Sequence, residues 1–276
     1  MSRMRTLLKR TFYGLIFALL MIGAILGGMR VLMIFMLIVA ILGTDESLKL
    51  FSSLKLRPSD KNIVRFISFL FFLIASFVAT QMLPLKALSL LPLLLLMPMV
   101  HALFSKRHPL NELGTVHWFN LLFVVFPSVL MLFFYDETIV GPMAGGPLLL
   151  GIIVAIWVND TFAYLVGTQF GRHRLFKRVS PKKSWEGSIG GLFFTLLGAG
   201  LFAHFSQHIE LHHALIMAFI IVLSGSIGDL IESAMKRQAH MKDSGKVIPG
   251  HGGILDRFDA TFFAIPFVFV YLFFIY

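Results

Sequence analysis

The sequence has no cysteine, which excludes disulfides, thiolate metal sites and a cysteine nucleophile. Charge is also scarce. Charged residues are 14% of the 276, against 57% apolar, and mean hydropathy is +0.85. A soluble domain of this length needs a polar surface that such a composition cannot supply, so the chain reads as one solvated by lipid. Acids are the rarest charged type, 14 against 24 Lys and Arg, giving a net charge of +10. The bases are scattered among apolar runs. Orientation in a membrane and anionic lipid or phosphate partners explain them, and no nucleic-acid partner is expected. No polar stretch separates the first apolar run from the second, so the start reads as a retained signal anchor. Low-complexity sequence and a second soluble domain are likewise missing.

What remains is a series of apolar runs. A membrane-crossing helix needs about 20 apolar residues, and nine candidates meet that need: 11–27, 29–44, 63–81, 83–104, 115–135, 146–168, 187–206, 213–236 and 258–276. The first two are short and meet at Gly27, Gly28 and Arg30, so a re-entrant pair is the alternative there. Pro84, Pro92 and Pro98 are expected to kink the fourth run. With the N-terminus in the cytoplasm and the C-terminus outside, 22 of the 24 Lys and Arg fall on the cytoplasmic side, leaving Arg30 and Lys86. The expected fold is therefore all-α and polytopic, with about nine transmembrane helices in the inner (plasma) membrane. Residues 1–145 read as scaffold and lipid-facing helices, and 146–276 as the part carrying the site.

Two constellations carry chemistry. Asn159, Asp160 and Thr161 lie inside the sixth run, and an acid there costs several kcal/mol unless it is paired, hydrated or bound to a cation. Asp160 sits about 10 Å below Gly167 at the helical rise. The loop that follows holds Arg172, Arg174, Lys177 and Arg178, then Ser180, Pro181, Lys182, Lys183, Ser184, Trp185 and Glu186. Positive-inside bias accounts for part of this. It does not account for two lysines flanked by hydroxyls before a helix N-terminus, an arrangement suited to polyphosphate. Glu186 reads as a helix cap.

The second constellation ends the eighth run. Asp229, Glu232 and Ser233 share one helical face, with Lys236 and Arg237 one turn on. Asp229 stands as deep below Lys236 as Asp160 does below Gly167, so two spans place an acid at one level. The next loop carries Lys242, Asp243, Gly245, Lys246, Pro249, Gly250, His251, Gly252 and Gly253. The last run opens with Asp256, Arg257 and Asp259. Glycines around His251 permit close backbone approach to a ligand. Oxygen-only acids beside lysines mark hard-cation and phosphate chemistry, and Asp229, Asp256 and Asp259 suit Mg²⁺. His204, His208, His212 and His213 read instead as an interfacial group without metal.

The run from Ser233 to Asp259 resembles the C-terminal signature of the phosphatidate cytidylyltransferases, also called CDP-diacylglycerol synthases. Ser233, Lys236, Arg237, Lys242, Asp243, Gly245, Pro249, His251, Gly252, Gly253, Asp256, Arg257 and Asp259 carry it. Asp229 with Glu232, and Trp157, Asp160, Thr161, Ala163, Tyr164 and Gly167, fit as well. Ser184 stands where a threonine is common, and the resemblance covers about residues 150–262. It implies transfer of CMP from CTP to phosphatidic acid, giving CDP-diacylglycerol and pyrophosphate. Asp229 and Asp256 would be metal-binding acids, with Asp259 a third and a second cation allowed. Lys236, Arg237 and His251 would act at the reacting phosphates. Asn159, Asp160, Ser180, Lys182, Lys183, Ser184, Glu232, Ser233, Lys242, Asp243, Gly252, Gly253 and Arg257 would bind substrate. CTP, phosphatidic acid and membrane lipids are the expected partners, with a homodimer left open. The competing readings are a CTP-dependent polyprenol-type kinase and a phosphorylated-anion transporter. A transporter predicts polar residues through both halves of the spans, whereas here they crowd one half.

Overall fold

A computed structural model of the protein describes residues 2–105, 108–206 and 209–276, with side chains from residue 11 onward. Lys106, Arg107 and His208 lie outside the described residues. The elements run α1 (Ser2–Leu26), α2 (Met29–Leu50), α3 (Pro58–Ala79), α4 (Leu91–Phe104), α5 (Leu110–Phe119), α6 (Phe126–Phe133), α7 (Glu137–Val140), α8 (Gly146–Phe170), β1 (Arg174–Phe176), β2 (Ser180–Ser184), α9 (Trp185–Ser206), α10 (Leu211–Gln238) and α11 (Leu255–Ile275). Among the described residues, eight helices or continuous helical runs are long and apolar enough to cross a membrane, and Thr11–Leu26 is a shorter apolar helix. The protein is thus an all-α polytopic membrane protein with one small hairpin.

Local chemistry sets the breaks. Gly28 takes φ 92°, which ends α1 and lets α2 begin as a separate helix. Pro58 opens α3, where Arg57 donates from its backbone and guanidinium to Asp60. The run 83–104 begins as a 3₁₀ turn at Leu85–Leu90 before α4, with Pro92 in the first turn and Pro98 inside the helix. Between α5 and α6 the chain keeps helical rise but widens to a π segment, Asn120–Val125. There Asn120 accepts from Ser47 at 2.8 Å and donates to Ser68 at 2.5 Å, tying α2, α3 and the π segment together. Such polar pairs between helices matter in lipid, where apolar contact alone drives association weakly.

The chain divides into two compact units, one of Met1–Phe133 with Gln238–Arg257, the other of Phe134–Arg237 with Phe258–Tyr276. The loop after α10, grouped on sequence with the C-terminal half, is built into the first unit. The first unit has a core of Leu48, Leu56, Val64, Ala102, Leu113 and Val116. In the second, glycines bring α8 and α9 close. A Cβ on Gly191 would meet Asn159 and Ala163, and one on Gly190 would meet Val166. Phe162 and Phe194 stack across that contact. The basic stretch read as a loop after the sixth run contains the antiparallel hairpin β1–β2, with Arg174 opposite Ser184 and Phe176 opposite Ser180.

Candidate active site

The second unit gathers acids from two helices. Gly228 on α10 has no side chain to hold α11 away, and a Cβ there would collide with the Asp259 carbonyl and Phe263. That close crossing brings Asp259 to the face of α10 that carries Asp229 and Glu232. One oxygen from each of the three carboxylates lies within 4.8 Å of the others. Glu232 is fully buried, at 0% exposure. Like charges this close in a low-dielectric setting repel strongly unless cations answer them. Two lysines do: Lys183 of β2 pairs with Asp229, and Lys236 pairs with Glu232 one turn along α10. Ser233 donates to Asp229 at 3.2 Å, and Asp259 accepts from the Ala260 N–H at 2.7 Å. Three carboxylates beside two ammoniums form an all-oxygen donor set of the kind hard cations take.

The hairpin explains why Lys183 reaches this cluster while its neighbour does not. Successive residues of a strand point to opposite faces, so Lys183 is half-buried toward Asp229 and Lys182 is exposed. Glu186, in the first turn of α9, accepts from the backbone of Arg172 and His173 at 3.1 Å each, and from the His173 ring at 2.6 Å. This clamp closes the base of the hairpin. Ser184 is buried and accepts from the Gly187 N–H at 3.2 Å, so its hydroxyl serves as the N-cap of α9. Asn159 is buried against Gly191, its Nδ2 3.5 Å from Asp160. Asp160 is exposed on α8 and lies within Coulombic range of Asp259.

Ser180 on β2 and Arg237, exposed near the end of α10, are also in the second unit, and the remaining candidates belong to the first. Asp256 Oδ2 accepts from the Ser244 N–H at 2.9 Å, from the Gly253 N–H at 2.7 Å, and from Ser244 Oγ at 3.0 Å. Ser244 Oγ lies 3.0 Å from Glu46 as well, and Glu46 accepts from the Leu255 N–H at 2.9 Å. Glu46, on α2, therefore caps the first turn of α11, where backbone donors lack helical partners and negative charge is favoured. Reading the sequence missed this residue. The glycines here lie close against carboxylates. A Cβ on Gly245 or Gly253 would strike Glu46, and one on Gly252, at φ 86°, would strike Asp256. The His251 ring lies against Gly14 of α1. Lys242, Asp243 and Arg257 are exposed, and among the described residues no ion pair joins Asp243 to Lys242, Lys246 or Arg257.

Fold and cluster together define a class: a polytopic membrane protein whose second unit concentrates carboxylates and lysines fit for cation and phosphate chemistry. The profile of the Cytidylyltransferase family matches residues 8–275, and the chain belongs to that family. It is 43% identical over 139 residues to a protein of Haemophilus influenzae named phosphatidate cytidylyltransferase, a match covering 49% of this chain and 48% of that one. It is 40% identical over 151 residues to the protein of that name from Staphylococcus aureus, covering 54% and 56%. For the Bacillus subtilis protein of the same name the figures are 42% over 120 residues, covering 43% and 45%. The chain thus spans about half the length of the curated relatives it matches.

Proposed function

We propose that the protein is a CTP:phosphatidate cytidylyltransferase, making CDP-diacylglycerol and pyrophosphate for phospholipid synthesis. The observation that carries this is the ion pair between Lys183 and Asp229, which joins the basic hairpin and the acid cluster into one centre. Family membership and the names of the relatives support it. The lysine and arginine distribution supports nine spans, with the N-terminus and the site on the cytoplasmic side of the inner membrane and the C-terminus outside.

In the reaction, a phosphate oxygen of phosphatidate bonds to the α-phosphorus of CTP. The bond from that phosphorus to the α,β-bridging oxygen breaks, and its electron pair leaves with pyrophosphate. No covalent protein intermediate is needed. Two anions that repel each other must be brought together, so positioning and charge neutralisation supply most of the catalysis. Asp229, Glu232 and Asp259 would hold Mg²⁺, and the resemblance adds Asp256. When bound, Mg²⁺ neutralises phosphate charge and orients the triphosphate. Lys183 and Lys236 carry ammoniums at the acids and present positive charge to incoming phosphate oxygens. Lys182, exposed on the other face of β2, would meet CTP from solvent.

The test uses purified protein with phosphatidic acid and CTP labelled separately at the α and γ positions. The α-label is expected in the lipid and the γ-label in pyrophosphate. Label from the γ position in lipid, with CDP released, would identify a kinase instead.

A further inference from the structure

Between α2 and α3 the first unit carries an apolar groove of about 390 Å³, walled by Leu37, Ala40, Ile41, Phe66, Phe69 and Phe72. Both helices are candidate spans, so this wall stands at bilayer depth. One end of the groove is polar. There Arg65 donates to Asp45 at 2.7 Å and to Asn62 at 2.9 Å. Beyond this latch lies a second cavity of about 540 Å³, which shares Asp45 and Arg65 with the groove and adds Lys49, Lys55 and Lys61. Among the described residues, Asp45 is the single acid in its lining. Among the described residues none of the three lysines is paired with an acid. Thr44 also lines the groove. It is 3% exposed, and its buried Oγ1 has no hydrogen-bond partner among the described residues.

An orphaned hydroxyl in an apolar wall costs free energy that a ligand oxygen would offset. Topological bias alone would set lysines at these helix ends. It would not place them at the mouth of a groove with an unsatisfied hydroxyl just inside. We propose that the first unit seats one anionic phospholipid here. An acyl chain lies along Ile41, Phe69 and Phe72, the Thr44 hydroxyl donates to an ester carbonyl, and the headgroup phosphate rests on Lys49, Lys55 and Lys61. The pocket volumes fall in the range of small-molecule sites, and each lysine near a membrane surface adds to attraction for an anionic headgroup. The seat draws on the first unit alone, so it stands or falls independently of the reaction proposed above.

The test is photolabelling of the full chain in phosphatidylcholine nanodiscs. Two probes carry the same diazirine acyl chain, one a phosphatidic acid and one a phosphatidylcholine, and adducts are mapped by mass spectrometry. The phosphatidic acid probe is expected to label α2 and α3 about tenfold more than the phosphatidylcholine probe. Combining Lys49→Gln, Lys55→Gln and Lys61→Gln should reduce that labelling about tenfold or more. Thr44→Val, which keeps the shape, should lower it severalfold, providing a second reading if the triple variant does not fold. Millimolar glycerol 3-phosphate should leave labelling unchanged. Equal labelling by both probes, full labelling of the variants, or displacement by glycerol 3-phosphate would each overturn the proposal.

Discussion

In the second unit, Asp229, Glu232 and Asp259 crowd within 4.8 Å and are answered by the side chains of Lys183 and Lys236. In the first unit, Glu46 and Asp256 are answered by backbone N–H groups and one serine hydroxyl. The first arrangement gathers charged groups of both signs, which a cation and a phosphate can engage. The second fixes where a carboxylate points. Three donors on one oxygen of Asp256, with Glu46 behind them, form the kind of support that orients a functional carboxylate. One region is organised for charge and the other for position, and substitutions should separate the two.

The largest effect is expected at the crowded acids. Asp229→Asn keeps the shape and removes a charge, and activity should drop at least about a hundredfold while the protein still inserts and melts as before. Near-normal turnover at ordinary Mg²⁺ would break the comparison on this side. Next comes Glu46→Gln, which weakens the cap on α11 without touching the acid cluster. Loss of such outer support costs about tenfold in activity, and thermal stability should fall by about 1–3 kcal/mol. An unchanged melting curve would show that Glu46 anchors nothing.

A third substitution sharpens the charge argument by its sign. Lys183→Gln frees Asp229 from its ammonium, so half-saturation by Mg²⁺ should move to lower concentration, severalfold, even as turnover falls. A shift to higher Mg²⁺ would mean that Lys183 helps the cation bind and does not compete with it. The smallest effect belongs to Lys182→Gln, on the exposed face of β2. The apparent constant for CTP should rise a few-fold, within the range of an exposed ionic contact, with the phosphatidate dependence unchanged. Movement of the phosphatidate curve alone would assign Lys182 to the lipid headgroup.

Hydropathy made most of the helices legible, because a span must satisfy its backbone internally and be apolar for about 20 residues. The pairing of Asp229 with Glu232 was legible too, since i and i+3 share a helix face. Asp259 was legible as an acid suited to Mg²⁺, but not its place beside those two. Its neighbourhood depends on Gly228 letting α11 approach, a contact that local spacing does not encode. Lys182 and Lys183 were read as equivalent because Pro181 and the basic run looked like a loop, whereas a strand sends them to opposite faces. Glu46 escaped for a simple reason. The second run was ended at residue 44, but α2 continues to Leu50, which turns Glu46 into an acid within a helix. Extending that helix by two turns would have flagged it by the rule that singled out Asp160 and Asp229. Its partner Ser244, 198 residues away, leaves no trace in any short window.

The central claim is that the crowded acids of the second unit are the cation seat and that Glu46 is not part of it. Titration of the full-length protein with Mn²⁺ in place of Mg²⁺, followed by electron paramagnetic resonance without substrates, tests this directly. The account predicts that Asp229→Asn weakens Mn²⁺ binding by about tenfold or more, while Glu46→Gln, which reaches Asp256 only through Ser244, loses clearly less. Equal binding by Asp229→Asn and the unaltered protein, or an equal loss in Glu46→Gln, would contradict it.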